Sequence, residues 1–164
     1  MLFVMQNQST GINVKGYWPS VVASGAMLLA TDALSIERTL GTYMLSACNV
    51  SKSQLAQFAY LQGSADLLLN FAKAYDAYAG ELLNKHMFDT SLADNVTELR
   101  TMILSQDFVE ICNNLTSLQR TSLTLKWGVD IQLYILTIDE LRGRFIIPSI
   151  LQVNSFVLAL GYYC

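Results

Sequence analysis

The chain has 164 residues and a net charge of −3; 52% of its residues are hydrophobic and only 14% are charged. This length fits one domain with a full hydrophobic core. The acidic balance argues against a general nucleic-acid-binding protein, which would normally be basic.

The few charged residues are distributed unevenly along the chain. Lys15 is the one charged residue between positions 1 and 31, and the segment 145–164 has none. Long uncharged ends that faced water would make a protein poorly soluble. We therefore expect both ends to be covered, by the protein core, by a neighbouring subunit or by lipid.

Residues 1–18 have the pattern of an extended arm, because Gly11, Gly16 and Pro19 interrupt any regular element there. Tyr17 and Trp18 at the end of this arm could anchor it on a core or on a neighbour. The sequence thus predicts an arm at 1–18 and a single helical domain at 19–164.

The first helix is predicted to begin at Pro19, a residue that suits the first helical position. An apolar row that recurs at three- and four-residue steps predicts the buried face; it consists of Val22, Ala26, Leu29, Ala33, Ile36, Leu40, Tyr43 and Ala47. Gly41 could interrupt this helix.

Two further helix starts are predicted from capping boxes, in which a side chain and a backbone amide three residues apart bond reciprocally. Ser51 to Gln54 has this form and predicts the start of a second helix, which Gly63 could interrupt and Gly80 should end. Asn95 to Glu98 has a similar form and predicts the start of a third. A fourth helix is predicted around Cys112.

The segment 121–137 fits two patterns. Leu123, Leu125 and Trp127 alternate with polar residues as in a strand, whereas Val129, Leu133 and Leu136 form a helical row. We favour the helix, since a lone β-ribbon beside a bundle has little to pair with. The predicted fold is mainly α: a multi-helix bundle with an extended N-terminal arm and an apolar C-terminal helix, and a β-ribbon at 121–137 as the alternative.

The C-terminal segment 145–164 is predicted to form a separate helix that begins at Pro148 and ends at Gly161. It has about the minimum length for a membrane span, but Gln152 and Asn154 lie within it, and polar groups are costly in hydrocarbon. We favour a helix covered by protein and keep the membrane span as the alternative.

The sequence has no recognisable catalytic, cofactor or metal site. Its single histidine, His86, fits a helix end better than a general base, and the carboxylate pairs lack a histidine partner for a di-iron pattern. These pairs are Asp94 with Glu98 and Asp107 with Glu110. We predict no enzymatic activity and no cofactor.

Cys48, Cys112 and Cys164 are odd in number and widely spaced, so they predict neither a disulfide framework nor a zinc site. A reducing, intracellular compartment or the interior of a virion-like assembly fits best. The opening MLFVMQ has no basic residue before its apolar run, so we expect no signal peptide.

The absence of a site, together with the uncharged ends, favours a non-enzymatic structural subunit that self-assembles into a homo-oligomer, filament or capsid. Its partner would be a second copy, with nucleic acid as a further partner inside the assembly, bound through Arg142 and Arg144. The predicted subunit interface consists of Tyr17, Trp18, Phe145, Ile146, Ile150, Val153, Val157 and Leu160. The alternatives are a membrane-associated subunit anchored by 145–164 and a helical protein that binds a small ligand among the aromatics Phe71, Tyr75, Tyr78 and Phe88.

Overall fold

The structure, a computed structural model, describes the backbone of residues 14–88 and 90–161 and the side chains of residues 18–88 and 90–144. These residues form six α-helices and one π-helical turn. The elements are α1 (Val14–Ala47), α2 (Lys52–Tyr75), α3 (Ala77–Leu83), the π-turn (Asn84–Phe88), α4 (Ser91–Leu104), α5 (Phe108–Asn113) and α6 (Ser117–Gly161). The prediction of a mainly α, multi-helix bundle is confirmed.

Helix α1 lies at the centre of the bundle and packs along both α2 and α6. Gly41 of α1 lies against Trp127 of α6, and Arg38 of α1 hydrogen-bonds to Gln132 of α6. Gly41 follows Arg38 along α1, whereas its partner Trp127 precedes Gln132 along α6. Helices α1 and α6 are therefore antiparallel.

Trp127 of α6 contacts both of the other long helices, α1 and α2. Its indole N–H donates to the carbonyl oxygen of Arg38 on α1 at 3.0 Å, and its ring lies 5.7 Å from that of Phe58 on α2, centroid to centroid. Both aromatic side chains are fully buried. Aromatic pairs at this separation stabilise a core beyond the area they bury.

The predicted apolar row of α1 is buried only in part: Ala26 is buried and Ala33 and Leu40 pack against the core. Leu29, Ile36 and Tyr43 are about half exposed. The face that is buried instead carries Ala23, Met27, Ala30, Leu34 and Met44. Ala23 and Ala30 on this face leave room for the neighbouring helices, while Met27, Leu34 and Met44 fill the core between them.

Local capping decides where the shorter helices begin. The capping box at Ser51 is confirmed: the Gln54 amide donates to Ser51 Oγ at 3.2 Å, and the Ser51 amide donates to Gln54 Oε1 at 2.9 Å. The predicted cap at Asn95 is wrong, because α4 begins four residues earlier, where Thr90 Oγ1 accepts from the Ala93 amide at 3.3 Å.

The break after α2 comes at Asp76, which ends α2 and caps α3, so the predicted limit at Gly80 is wrong. Its Oδ1 accepts from the amides of Tyr78 and Ala79 at 2.9 and 3.0 Å. Gly41 and Gly63 do not interrupt their helices.

No strand occurs in the ranges 14–88 and 90–161, and the whole of 121–137 lies inside α6. The β-ribbon alternative is therefore wrong there. Leu125 of the alternating pattern is exposed, and so are Val129, Leu133 and Leu136 of the helical row, while Trp127 and Ile131 are buried one helical turn apart.

Both prolines lie inside helices. Helix α1 begins at Val14, five residues before Pro19, so residues 14–18 are helical and not extended. Helix α6 runs through Pro148 to Gly161, so the predicted C-terminal helix is a continuation of α6 and not a separate element. Residues 1–13 lie outside the described residues, and the division of the chain at 18/19 stays a prediction.

The cysteine pattern was wrongly interpreted as free of disulfides. Cys48 and Cys112 form a disulfide, with their Cα atoms 5.4 Å apart, and both are buried. Helix α5 folds back onto the end of α1 and thereby joins residues separated by 64 positions, which spacing in the sequence could not show. Cys164 lies outside the described residues.

Helix α1 is long and apolar enough between Trp18 and Ala47 to cross a membrane by length and composition. It packs between α2 and α6 and carries the fully buried Glu37, which is ion-paired to Arg100 of α4. It is therefore the core helix of the bundle.

Candidate functional site

A buried ion network joins α1, α2 and α4. Arg100 of α4 donates to both carboxylate oxygens of Glu37 on α1, through Nε at 2.7 Å and Nη2 at 2.8 Å. Its Nη1 donates to Asp66 Oδ1 on α2 at 3.1 Å. Glu37 is fully buried, and Arg100 nearly so. Two parallel charge-assisted bonds of this kind form the strongest common ion-pair geometry.

Burial sets the protonation of this network. Loss of hydration raises the pKa of Glu37 above its usual value of 4.5, although the hydrogen bonds and charge of Arg100 work in the opposite direction. Burial acts to lower the pKa of Arg100, but its hydrogen bonds to Glu37 and the charges of Glu37 and Asp66 outweigh burial and raise it. Arg100 is thus a permanent cation whose charge is already taken up by two carboxylates.

The network borders a cavity of about 360 Å³, which we call the acidic cavity. Its wall contains two carboxylates, Asp66 and Asp94, and one guanidinium, that of Arg100. The lining residues are Gln62, Asp66, Asn70, Phe88, Ala93, Asp94, Thr97, Arg100 and Tyr134. An anion in this cavity would meet more negative than positive charge, so the site does not suit a small anion.

A second cavity, of about 380 Å³, lies between the end of α1 and the first turns of α6. We call it the Arg120 cavity. Its lining residues are Ser46, Ser117, Arg120, Thr121, Thr124 and Leu125. This set contains one cation, four hydroxyl groups and no carboxylate.

Arg120 has unused hydrogen-bonding capacity. Its Nε is buried and has no hydrogen-bond partner among the described residues. Its Nη2 makes one long contact, 3.5 Å, with the carbonyl oxygen of Leu115. No ion pair of Arg120 occurs within the described part of the chain. A buried donor without an acceptor is costly, and an anion in the cavity would supply the acceptor.

The surroundings of Arg120 also suit negative charge. Helix α6 begins at Ser117, and a helix N-terminus carries a partial positive charge; Thr116 Oγ1 caps this end by accepting from the Gln119 amide at 3.3 Å. The hydroxyls of Thr121 and Thr124 donate to carbonyl oxygens one turn back, at 3.0 and 2.9 Å. A hydroxyl can rotate its proton toward a ligand, so both can serve a bound anion.

The predicted polyanion residues pair locally on the surface of α6. Arg142 Nη2 lies 3.2 Å from Asp139 Oδ1, and Arg144 Nη2 lies 2.5 Å from Glu140 Oε1. Both pairs are at helical spacing. Binding of nucleic acid by these arginines stays a prediction.

Trp18 is 57% exposed, so it is accessible for the predicted subunit contact, which stays a prediction. The side chains of the other predicted interface residues lie outside the described residues. These are Tyr17, Phe145, Ile146, Ile150, Val153, Val157 and Leu160.

The remaining candidates fall in different places. Asp94 and Phe88 line the acidic cavity, while Phe71 and Tyr75 stack on the surface at 5.3 Å. His86 lies in the π-turn. No group of three metal-ligating side chains occurs within the described residues.

Sequence reasoning missed both the ion network and the Arg120 cavity. Glu37 and Arg100 are 63 positions apart, so no local spacing pointed to their pairing. A charged residue within the apolar first helix was the one available signal for Glu37. Arg120 is one of several basic residues in the sequence, and its lack of a carboxylate partner depends on the fold.

The described residues form an all-helical bundle with a cavity that holds one arginine and no carboxylate. Residues 3–144 match the nitrate- and nitrite-sensing family (NIT), and the chain belongs to this family. No curated protein and no solved structure matches the chain.

Membership of this family overturns the interpretation of the chain as a self-assembling filament or capsid subunit. That interpretation depended on the shortage of charge at both ends. The match covers most of the uncharged N-terminal part and ends at 144, where the uncharged C-terminal segment begins. A shortage of charge therefore does not indicate a structural assembly in this chain.

Proposed function

We propose that this domain is a non-enzymatic sensor that binds nitrate or nitrite in the Arg120 cavity. The observation that carries the proposal is the Arg120 guanidinium, which has a buried donor without a partner and no carboxylate in its cavity. Nitrate is a planar anion with oxygens at fixed angles, and the planar fork of a guanidinium matches such groups well.

The other buried arginine does not compete for this role. Arg100 already donates to Glu37 and Asp66, and an anion would have to displace one of these carboxylates. Removing a partner from a buried ion pair is strongly unfavourable.

The position of the Arg120 cavity offers a route for the signal. Ser46 belongs to the end of α1, whereas Arg120 belongs to the first turns of α6. An anion held between them would couple the two antiparallel helices, and helix shifts of 1–2 Å are a known output of ligand binding. Helix α6 then continues to Gly161 without a break.

We further propose that the segment 145–164 anchors the domain in a membrane, with the helical bundle on the oxidising side. The segment has no charged residue and continues α6 as helix to Gly161. The buried disulfide Cys48–Cys112 supports an oxidising environment. Arg142 and Arg144 would favour the opposite orientation, but we give the disulfide more weight because it is part of the folded bundle itself.

The test of the sensing function is calorimetric titration of the purified full chain with sodium nitrate and with sodium nitrite. We expect saturable binding by the wild-type protein and a loss of at least about tenfold in affinity for Arg120→Gln, since hydrogen bonds to charged groups contribute about 1.5–3 kcal/mol. Arg144→Gln is the matched control, because Arg144 is exposed and paired with Glu140 on the helix surface.

Three outcomes separate the function from the site. Absence of nitrate and nitrite binding by the wild type would contradict the sensing function. Undiminished binding by Arg120→Gln would contradict the site while leaving the function standing. Equal losses in Arg120→Gln and Arg144→Gln would show a general effect of charge and not a cavity.

A further inference from the structure

A tyrosine side chain forms part of the wall of the acidic cavity. Tyr134 of α6 lines this cavity and is only 4% exposed. Its hydroxyl makes no hydrogen bond to any part of the chain that the structure describes. A tyrosine hydroxyl can both donate and accept a hydrogen bond, so it can serve a ligand in the cavity.

A second unpaired atom lies in the same wall. The side-chain carbonyl oxygen of Gln62, on α2, is buried and has no donor within the described residues. This oxygen can only accept a hydrogen bond. The cavity therefore calls for a ligand that donates hydrogen bonds.

The charge around the cavity selects the sign of that ligand. Asp66 uses one oxygen to accept from Arg100, and its second oxygen has no bond among the described residues; Asp94 has no partner there either. Together with Glu37, which is paired with Arg100, the cavity and its surroundings contain three carboxylates and one guanidinium. The ammonium of Lys73, over the Phe88 ring at 5.1 Å, leaves the surroundings with a net charge of about −1. A cation is favoured.

The size and wall of the cavity favour an organic cation over a metal ion. A volume of about 360 Å³ lies in the range of small-molecule sites. Phe88 supplies an aromatic surface, which attracts ammonium groups and apolar carbon alike. A metal ion would need several oxygen or nitrogen ligands together, and the described residues contain no such group of three.

We propose that the acidic cavity binds a small organic cation that carries a primary ammonium group. The carboxylates of Asp66 and Asp94 and the carbonyl oxygen of Gln62 accept hydrogen bonds from the ammonium, and the Tyr134 hydroxyl provides one further partner. Phe88 contacts the apolar carbon chain. This site is separate from the Arg120 cavity, because the two have no lining residue in common.

The test is calorimetric titration of the full chain with n-butylamine at pH 7, where the amine is protonated. Two probes of similar size serve as controls: 1-butanol, which lacks the charge, and sodium butyrate, which carries the opposite charge. We expect saturable 1:1 binding of butylammonium and at least about fivefold weaker binding of both controls.

Variants then locate the binding. Tyr134→Phe and Asp94→Asn should each weaken butylammonium binding about fivefold or more. Asp107→Asn is the matched control, because Asp107 is exposed and its side chain makes no cap hydrogen bond to α5. Tyr134→Phe should not lower the thermal midpoint of the free protein, because it removes a hydroxyl that has no partner.

The proposal is overturned if butylammonium does not bind, if 1-butanol or butyrate binds as tightly, or if the control variant loses as much affinity as the two cavity variants. A lower thermal midpoint for free Tyr134→Phe would likewise contradict it, since the hydroxyl would then already have a partner. Nitrate binding at Arg120 is measured separately, so neither result decides the other.

Discussion

At the scale of single residues, Arg100 is the group whose loss should cost most stability. Arg100→Met would leave the fully buried carboxylate of Glu37 without its two hydrogen bonds. Breaking a buried pair from one side costs about 3–5 kcal/mol. We expect a decrease of that size in the free energy of unfolding, measured by urea denaturation at pH 7.

Two companion variants test the cause of this decrease. Glu37→Leu combined with Arg100→Met removes both charges and should recover most of the lost stability, because a buried pair replaced by apolar residues is often neutral. Asp66→Asn should cost at most about 1 kcal/mol, because the Asp66 side chain is 41% exposed. If the double variant is as unstable as Arg100→Met, the loss of stability comes from the altered packing and not from the unpaired charge of Glu37.

Tyr134 gives a residue-scale prediction about pH. Burial raises the pKa of Tyr134 from 10.0 to about 12, against the attraction of the nearby Arg100 charge. The native state then holds this proton more tightly than the unfolded state does. The free energy of unfolding should therefore fall as pH rises from about 10 to about 12, by on the order of 2–3 kcal/mol.

Absorbance near the phenolate band measures this ionisation directly. The chain has eight tyrosines, and one should titrate in a late phase near pH 12. Tyr134→Phe should remove that phase and flatten the alkaline fall in stability. A late phase that persists in Tyr134→Phe would assign it to a different tyrosine.

At the scale of elements, the contact of α1 with α6 depends on Gly41. A Cβ atom at this position would lie 2.6 Å from the Trp127 ring, and that ring is held by its hydrogen bond to the Arg38 carbonyl. Overpacking of this kind costs about 1–3 kcal/mol, more than the roughly 1 kcal/mol that alanine contributes to a helix. We expect Gly41→Ala to lower the urea midpoint.

Gly25→Ala is the matched control on the same helix. A Cβ atom there meets no atom within 4 Å, so the helix propensity of alanine should dominate and raise stability by about 0.5–1 kcal/mol. Opposite signs for the two variants would confirm that α1 and α6 are in close contact at Gly41. A gain in both would contradict that packing.

The elements also show which features a sequence can predict. The capping box at Ser51 was predictable because all its partners lie within four residues. The buried face of α1 was not, because two faces have helical periodicity and the neighbours α2 and α6 decide between them. The two cavities were not predictable for the same reason. Arg120 is a candidate because no carboxylate lies in its cavity, and Tyr134 is a candidate because it lines the acidic cavity. Both facts depend on the fold.

At the scale of the whole molecule, α6 connects the two proposed binding sites with the proposed membrane anchor. Arg120 lies in its first turns, Tyr134 lines the acidic cavity at its middle, and the uncharged segment 145–164 follows on its far side. A helix of 45 residues is about 67 Å long. One continuous helix therefore joins both cavities to the proposed membrane anchor.

This arrangement predicts where the full chain resides in a cell. We expect it in the bacterial membrane fraction after expression, and still in the pellet after carbonate extraction. Leu151→Asp combined with Val157→Asp should release it, because an aspartate near the centre of a span costs about 2.5–3.5 kcal/mol. Leu118→Asp, at a position 81% exposed in the bundle, is the control and should stay in the pellet.

Cysteine labelling in intact cells tests the orientation of the anchored chain. If the bundle lies on the oxidising side, Cys48 and Cys112 should resist alkylation until a reductant and a denaturant are added, since they form a buried disulfide. Free thiols at both positions in unreduced, denatured protein would place the bundle in a reducing compartment. Wild-type protein that leaves the membrane during carbonate extraction would exclude the anchor itself, and the uncharged segment 145–164 would then have to be covered by protein.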